Sequence, residues 1–200
     1  MRWVQKSSAL LLLTVLMTSQ AFAEPEDIVD FSGQVTPTCK VVGLTATPPP
    51  GWFNVPIDSE DKAISGCQMM RVGEQDELEG IIRLLSAQVE EAAESPPWYA
   101  VMIALEQQTI SEMGYALGEV LWSRTDVPIT GEGFGNARAV GLTASIEGND
   151  IPQEAHFLVF EHGPQKFIIT LLTPAQEVDD SVFYKRNTED FGVLIRSLSP

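Results

Sequence analysis

The sequence predicts an α+β fold in which an antiparallel sheet is flanked by helices. Strand-like segments come first, one helical segment follows, a further run of strand-like segments comes next, and a second helical segment closes the chain. Two apolar segments, 155–160 and 167–172, stand on either side of a turn at 162–165, which is typical of an antiparallel hairpin. Successive hairpins between two helices favour an antiparallel sheet with the helices packed on it.

The first part of the chain is predicted to be extended. Residues 41–46 form an apolar-rich strand that ends at the proline run 48–50 and Gly51, because proline cannot donate to a sheet ladder. Further strands are predicted at 52–57, 64–72 and 81–86.

The first helix is predicted to begin near Ser95, which can cap it, and Pro96 and Pro97 suit its first turn. Side chains suited to a core then recur at spacings of three and four, which places them on one helical stripe: Trp98, Met102, Leu105, Thr109, Met113 and Ala116. The opposite side is expected to face solvent and carries Glu106, Gln107, Gln108 and Glu112.

The second half of the chain is predicted to contain more strands and a closing helix. Residues 119–123 are predicted to be a strand, and residues 140–147 alternate in the period-two pattern of a half-buried strand. The hairpin segments at 155–160 and 167–172 are apolar at nearly every position, so we expect them in the middle of the sheet. The acidic pair at 179–180 suits a helix N-terminus. The inward stripe of that helix is Tyr184, Asn187, Phe191, Leu194 and Leu198.

Residues 1–23 have the composition of a secretory signal peptide. Two basic residues, Arg2 and Lys6, precede the apolar run 9–17, and Ala21 and Ala23 are the small residues that signal peptidase requires. No Cys stands directly after the run, where a lipoprotein would have one. We therefore predict cleavage after Ala23 without a lipoprotein anchor, and a periplasmic or secreted mature chain. Residues 24–37 are interpreted as a flexible acidic lead-in and residues 38–200 as a single globular domain.

The strongly acidic balance excludes several classes of partner. The chain has 12 Lys and Arg against 28 Asp and Glu, a formal net charge of −16. Such a chain is repelled by nucleic-acid phosphate and by anionic lipid headgroups. No apolar run after the signal peptide approaches the length of a spanning helix, so we predict no transmembrane segment in the mature chain.

The two cysteines, Cys39 and Cys67, are predicted to form one disulfide. An even cysteine count in an oxidising compartment favours a bridge, and closing a loop of this length stabilises a fold by about 3–4 kcal/mol. The alternative is a reactive thiol, which needs an electropositive setting, and only Lys40 and Arg71 lie near in sequence.

Glu154 and His156 are the candidate polar site of an alternative, enzymatic interpretation. Because they are two residues apart on one predicted strand, they project from the same face. Imidazole and carboxylate can bind zinc, but a zinc site needs three or four converging ligands, and His162 lies apart at the turn. The competing interpretation is a surface or edge histidine.

Other patterns carry weaker signals. Cys67, Met69 and Met70 suggest copper binding, but Met70 would point away from the other two and methionine is common in cores. The acidic stretches 74–79 and 90–94 lack the spacing of a calcium loop. We therefore predict no metal and no cofactor.

Phe134 lies in a glycine-rich segment, residues 131–136. A phosphate-binding loop needs a preceding strand and a following helix, whereas this acidic segment precedes a strand, so a flexible loop is favoured. Two alternatives stay open for Phe134: it contacts a partner protein from the loop, or it packs back into the core.

Two local strings resemble the PsbP-like superfamily. The string Leu-Thr-Ala-Thr-Pro-Pro-Pro-Gly-Trp at 44–52 is similar to that family's opening strand and Pro-x-Gly-Trp turn, and Phe-Gly-Val-Leu-Ile-Arg-Ser-Leu at 191–198 is similar to its closing helix. The resemblance covers roughly residues 40–198. It implies an α/β/α sandwich with a binding or assembly role, and it carries over no catalytic residue.

These observations predict an exported, non-enzymatic binding or assembly protein of the bacterial envelope, whose partner is an unknown envelope protein. The sequence contains no Gly-x-Ser-x-Gly or His-Glu-x-x-His motif. The alternatives are a periplasmic hydrolase with a site around Glu154 and His156, and a carrier of a small ligand or metal.

Overall fold

The computed structural model describes residues 38–57, 64–73, 77–89, 96–129, 133–134, 137–148, 150–178 and 182–200. The chain divides into two units, Met1–Val35 and Thr36–Pro200, and every described residue belongs to the second. The predicted signal peptide, the cleavage after Ala23 and the acidic lead-in at 24–37 therefore lie outside the described residues.

The described residues form nine strands and two helices. In chain order they are β1 (Cys39–Val41), β2 (Leu44–Ala46), β3 (Phe53–Ile57), β4 (Ile64–Val72), β5 (Leu78–Ala87), α1 (Trp98–Glu112), β6 (Ala116–Pro128), β7 (Arg138–Glu147), β8 (Gln153–His162), β9 (Gln165–Pro174) and α2 (Val182–Ser197).

Strands β3 to β9 form one antiparallel sheet, in the order β3-β4-β5-β9-β8-β7-β6. The predicted hairpin is β8–β9, and it lies inside the sheet with β5 and β7 as outer neighbours. The position of this apolar hairpin is therefore as predicted, since interior strands covered on both faces are apolar at nearly every residue. β6 and β3 form the two edges.

The strand predicted at 41–46 is instead a small separate hairpin, β1–β2. Its turn is formed by Val42 and Gly43, and Gly43 has a φ of 79°, which glycine adopts without strain. Main-chain hydrogen bonds join this hairpin to the segment after α2. The amide of Thr45 donates to the carbonyl of Ser199 at 2.8 Å, and the amide of Ser199 donates back at 2.9 Å.

One helix packs on each face of the sheet, so the predicted α+β class with a helix-flanked antiparallel sheet is confirmed. The face covered by α2, called the α2 face below, has a core formed by Trp52, Met69, Ile82, Leu84, Phe160, Phe167, Ile169, Leu171 and Leu194. The opposite face, called the α1 face, has a core formed by Leu85, Met102, Ile110, Phe157, Val159 and Ile168.

The predicted solvent-facing side of α1 is wrong at Glu106. This carboxylate has 0% exposure and lies against Arg83 of β5, with Arg83 Nε 3.3 Å from Glu106 Oε1. The predicted stripe is also too long, because Ala116 already belongs to β6. Ser95 lies outside the described residues, and Pro97 precedes the first helical residue.

The second helix has the predicted inward stripe. Asn187, Leu194 and Leu198 are buried, and Asn187 Nδ2 donates to the carbonyl of Glu79 at 2.7 Å and to the hydroxyl of Thr173 at 3.1 Å. Asp179 and Asp180, predicted at the start of the helix, lie outside the described residues.

An ion network fixes α2 to β4 and β5. Glu79 contacts both Arg71 and Arg186, and Arg71 also contacts Asp190. Trp52 joins this network because its Nε1 donates to Asp190 Oδ2 at 3.0 Å.

Trp52 is positioned by the turn that ends the proline run. The amide of Trp52 donates to the carbonyl of Pro49 at 3.2 Å, and Gly51 has a φ of 82°. This is the geometry of a type II turn, with proline at its second position and glycine at its third. The turn thus places Trp52 in the core.

Candidate functional site

A cleft of about 240 Å³ opens on the α2 face, between α2 and the strands β6, β7 and β8. It forms because α2 packs mainly on β9 and β5, so the sheet extends beyond the helix on the β6 side. Large side chains form most of its wall: Trp122, Val127, Leu142, His156, Tyr184 and Phe191.

Gly141 makes room for the outer wall of this cleft. A Cβ atom at Gly141 would lie 2.8 Å from the ring of Trp122, closer than real Cβ contacts. The absence of a side chain therefore lets the Trp122 ring lie against β7. Trp122 is nonetheless 49% exposed, so one side of the ring faces solvent.

The cleft borders a polar cluster formed by Glu154, His156 and Thr143. As predicted from their spacing, Glu154 and His156 lie side by side, with His156 Nε2 3.5 Å from Glu154 Oε2. Thr143 lies opposite His156 on β7, and its Oγ1 is 3.0 Å from His156 Nδ1. The amide of Gln176 donates to Glu154 Oε1 at 3.3 Å.

Burial sets the protonation of this cluster. It lowers the pKa of His156 to about 4, because the charged imidazolium would lose its water in this partly apolar site. His156 is therefore neutral at pH 7. The ring of Tyr184 lies 5.7 Å from the imidazole ring, and burial, followed by the nearby Glu154 charge, raises the pKa of Tyr184.

The atoms of His156 that could move a proton do not open into the cleft. Nδ1 is taken by Thr143, and Nε2 is buried on the side of Glu154 without a hydrogen bond to any described residue. A general base must lie within hydrogen-bond reach of the proton that it removes. In this geometry the cluster presents the ring of His156, rather than its lone pair, to a molecule in the cleft.

The predicted disulfide between Cys39 and Cys67 is confirmed. The bridge joins β1 to β4, with a Cα–Cα distance of 6.1 Å inside the range that a disulfide requires. Cys67 is thus not a free thiol, and Met69 lies in the core of the α2 face. Within the described ranges, no three His, Cys, Asp or Glu residues come together as a metal site.

Phe134 packs into the core, which is the second of the two alternatives that the sequence left open. The side chain is 5% exposed, and its ring meets that of Phe160 edge-to-face at 5.7 Å and that of His162 at 5.2 Å. A buried ring of this kind is not an exposed partner contact. Gly133 is described with it, while the rest of the glycine-rich segment, 131–132 and 135–136, lies outside the described residues.

Sequence reasoning missed an exposed apolar run on the described part of the chain. Val120, Leu121 and Trp122 follow one another on the edge strand β6 and are 54%, 52% and 49% exposed. A strand with one face in solvent normally alternates apolar and polar residues. Three successive large apolar side chains depart from that pattern and could have predicted an exposed apolar surface.

The fold and cleft define an α+β sandwich with a solvent-open apolar recess. No family model matches the chain, and no curated protein matches it. Among solved structures, the chain is similar to the cyanobacterial PsbP of Synechocystis, with 11% identity, a TM-score of 0.49, and coverage of 78% of this chain and 86% of that one. A Mog1 mutant protein gives 9% identity, a TM-score of 0.43, and coverage of 78% and 89%.

A third similar structure is a protein of unknown function from Pseudomonas aeruginosa, with 15% identity, a TM-score of 0.39, and coverage of 73% of this chain and 88% of that one. A PsbP structure is thus among the solved structures that the chain is similar to, as the sequence resemblance suggests. At these identities and TM-scores, nothing about activity or partners follows from it. No helix in the described ranges is long and apolar enough to cross a membrane.

Proposed function

We propose that this chain is an exported, non-enzymatic protein that binds another protein of the envelope, or stabilises an assembly of such proteins, through the cleft between α2 and β6–β8. The observation that carries the proposal is the cleft itself, an apolar recess with Trp122 and Tyr184 in its wall. A half-exposed Trp and a partly buried Tyr beside a recess are typical of protein-binding surfaces, where a few aromatic residues contribute most of the binding energy.

The chemistry of the cleft supports binding over catalysis. His156 is neutral, one ring nitrogen contacts Thr143, and the other is buried beside Glu154. An apolar or aromatic side chain of a partner suits this surface. The net charge of −16 favours a partner whose surface around that side chain is basic, since complementary charge speeds association.

Site-specific photocross-linking in the native host tests this proposal. A photoreactive residue at Thr188, which lines the cleft, is compared with one at Glu189, the next residue of α2 and exposed to solvent. We expect a discrete protein adduct from position 188 only. The same adduct should weaken when Trp122 is also replaced by Ala. Equal adducts from both positions, or none from position 188, would contradict the proposal.

A hydrolase is the second candidate, because Glu154, His156 and Tyr184 do converge beside an apolar cleft. It predicts turnover of a small ester probe such as p-nitrophenyl acetate that is lost in His156→Gln. The binding proposal predicts the same background rate for the native chain and the variant.

A further inference from the structure

Basic side chains stand at the rim of the cleft, although the chain as a whole is acidic. The formal net charge is −16, yet Arg124 of β6 and Arg196 of α2 extend from the two elements that form opposite walls. Both are exposed, and neither forms an ion pair with a residue in the described ranges. An unpaired cation at the mouth of an apolar recess is available to an anionic group of a bound molecule.

Arg124 lies beside Trp122 on the strand wall. Residues 122–124 keep a regular register with β7, so Arg124, two positions after Trp122, projects from the same face of the sheet. The residue opposite Arg124 on β7 is Gly141, which lines the cleft. Arg124 therefore stands at the outer rim of the cleft.

Arg196 approaches the cleft from the helix wall. It lies in the last turn of α2, where basic side chains commonly interact with the terminal carbonyls. Here the side chain also extends back along the helix, because a Cβ atom at Gly192, one turn earlier, would lie 3.4 Å from Arg196 Nη1. Gly192 follows Phe191 and comes one turn after Thr188, and both of these residues line the cleft. The guanidinium of Arg196 thus lies over the helix surface next to the cleft.

The other end of the cleft disfavours an anion. Glu154 lies there, 3.5 Å from His156, and the ring of Tyr184 in the first turns of α2 packs against that imidazole. His156 is neutral at pH 7 and does not offset the Glu154 charge. A molecule with an apolar body and one carboxylate therefore has one favoured orientation, with its carboxylate toward Arg124 and Arg196.

We propose that the partner segment that enters the cleft carries an aspartate or glutamate next to its apolar side chain, and that Arg124 and Arg196 bind this carboxylate from opposite walls. The inference rests on the proposed function, because it names the group by which the partner is recognised. A guanidinium offers paired N–H donors that match a carboxylate. The remaining surface of the partner is still favoured to be basic, since only the group inside the cleft meets the two arginines.

Two probes that share one ring test the charge preference with purified protein. The native, unreduced and isotope-labelled chain is titrated with 3-(indol-3-yl)propionate and with its uncharged amide, while the NMR shifts of the cleft amides are followed. The carboxylate should bind about 10-fold more tightly than the amide, because two exposed arginine–carboxylate pairs together contribute about that factor. The double variant R124Q/R196Q should bind both probes with equal affinity.

Lys40→Gln is the matched control. Lys40 is exposed on β1, which packs on β4, and it too forms no ion pair with a described residue. The substitution removes one positive charge away from the cleft, so the preference for the carboxylate should stay as in the native chain. If Arg196→Gln does not fold by circular dichroism, Arg124→Gln alone should still reduce the preference to about 3-fold.

Photocross-linking from position 188 in the native host separates this inference from the proposed function. The adduct should weaken about 10-fold in the R124Q/R196Q chain and stay unchanged in Lys40→Gln. An adduct that Trp122→Ala weakens and R124Q/R196Q does not would overturn the carboxylate inference and leave the proposed function standing. Absence of any adduct from the native chain would contradict both.

The titrations can overturn the inference independently. Equal affinity of the native chain for the propionate and the amide would do so, as would the same carboxylate preference in the native and R124Q/R196Q chains. A carboxylate preference that the double variant loses without any change in the adduct would assign the arginines to a free small acid, which also excludes the proposal.

Discussion

The buried ion pair between Arg83 and Glu106 yields the sharpest stability prediction. Arg83 is 4% exposed and Glu106 is 0% exposed, so both charges have left water. Their facing atoms are 3.3 Å apart, yet neither Arg83 Nε nor Glu106 Oε1 makes a well-aligned hydrogen bond with a described residue. Burial raises the pKa of Glu106, while the Arg83 charge lowers it by a smaller amount.

Replacing Glu106 by Gln removes one charge and leaves Arg83 buried without compensation. Breaking a buried pair in this way costs about 3–5 kcal/mol, whereas replacing both partners with apolar side chains is often neutral or stabilising by about 1–4 kcal/mol. We therefore expect E106Q to unfold at a urea midpoint about 1.5–2.5 M lower, for a slope of about 2 kcal/mol/M. The double variant R83M/E106L should match or exceed the native midpoint.

Glu112→Ala is the matched control for this measurement, because Glu112 is exposed on the same helix. This substitution should change the free energy of unfolding by no more than about 0.5 kcal/mol. An E106Q urea midpoint equal to that of this control, or a double variant that is no more stable than E106Q, would contradict the prediction.

Three further predictions concern other parts of the fold. His156 titrates at a pKa of about 4 when folded and near 6.5 when unfolded, so the unfolded state binds more protons between these values. Stability should therefore fall by up to about 3 kcal/mol as pH drops through that window, and urea midpoints of His156→Gln should show a flatter pH dependence. Reduction of the Cys39–Cys67 bridge should cost about 3–4 kcal/mol; equal urea midpoints with and without reductant would exclude this. Gly51→Ala should lower the free energy of unfolding by about 1–2 kcal/mol, because φ is 82° at this position. Gly192→Ala inside α2 should instead raise it by about 0.5–1 kcal/mol, because alanine favours a helix more than glycine does. Thermal melts of the two variants measure both changes.

The sequence was most informative where local pattern and tertiary environment agree. The β8–β9 hairpin and the Leu194 and Leu198 positions of the inward stripe of α2 follow from apolar periodicity, because these buried positions hold apolar side chains. Glu106 shows the limit of that reasoning. Its spacing from Met102 and Ile110 places it on the buried stripe, but a carboxylate is counted as polar, and its partner Arg83 lies on a strand that local pattern cannot bring near.

The cleft could not be predicted for a different reason. Its existence depends on where α2 lies across the sheet, which is set by long-range contacts such as those of Asn187 with Glu79 and Thr173. Local spacing did place Glu154 beside His156. It did not show Trp122 and Tyr184 on opposite sides of the same recess, because these residues are far apart in sequence.

The pairing of Thr45 with Ser199 has a consequence for the order of folding. These two main-chain hydrogen bonds, together with that from the Thr47 amide to the Ser197 hydroxyl, join segments separated by most of the folded chain. Contacts between residues so distant in sequence raise the contact order and slow folding, since the loop entropy is lost before the contact forms. A chain that emerges from its amino-terminal side can attach β1 to β4 early through the Cys39–Cys67 bridge, but it forms the hydrogen bonds of β2 with residues 197–199 only after the last helix has been made.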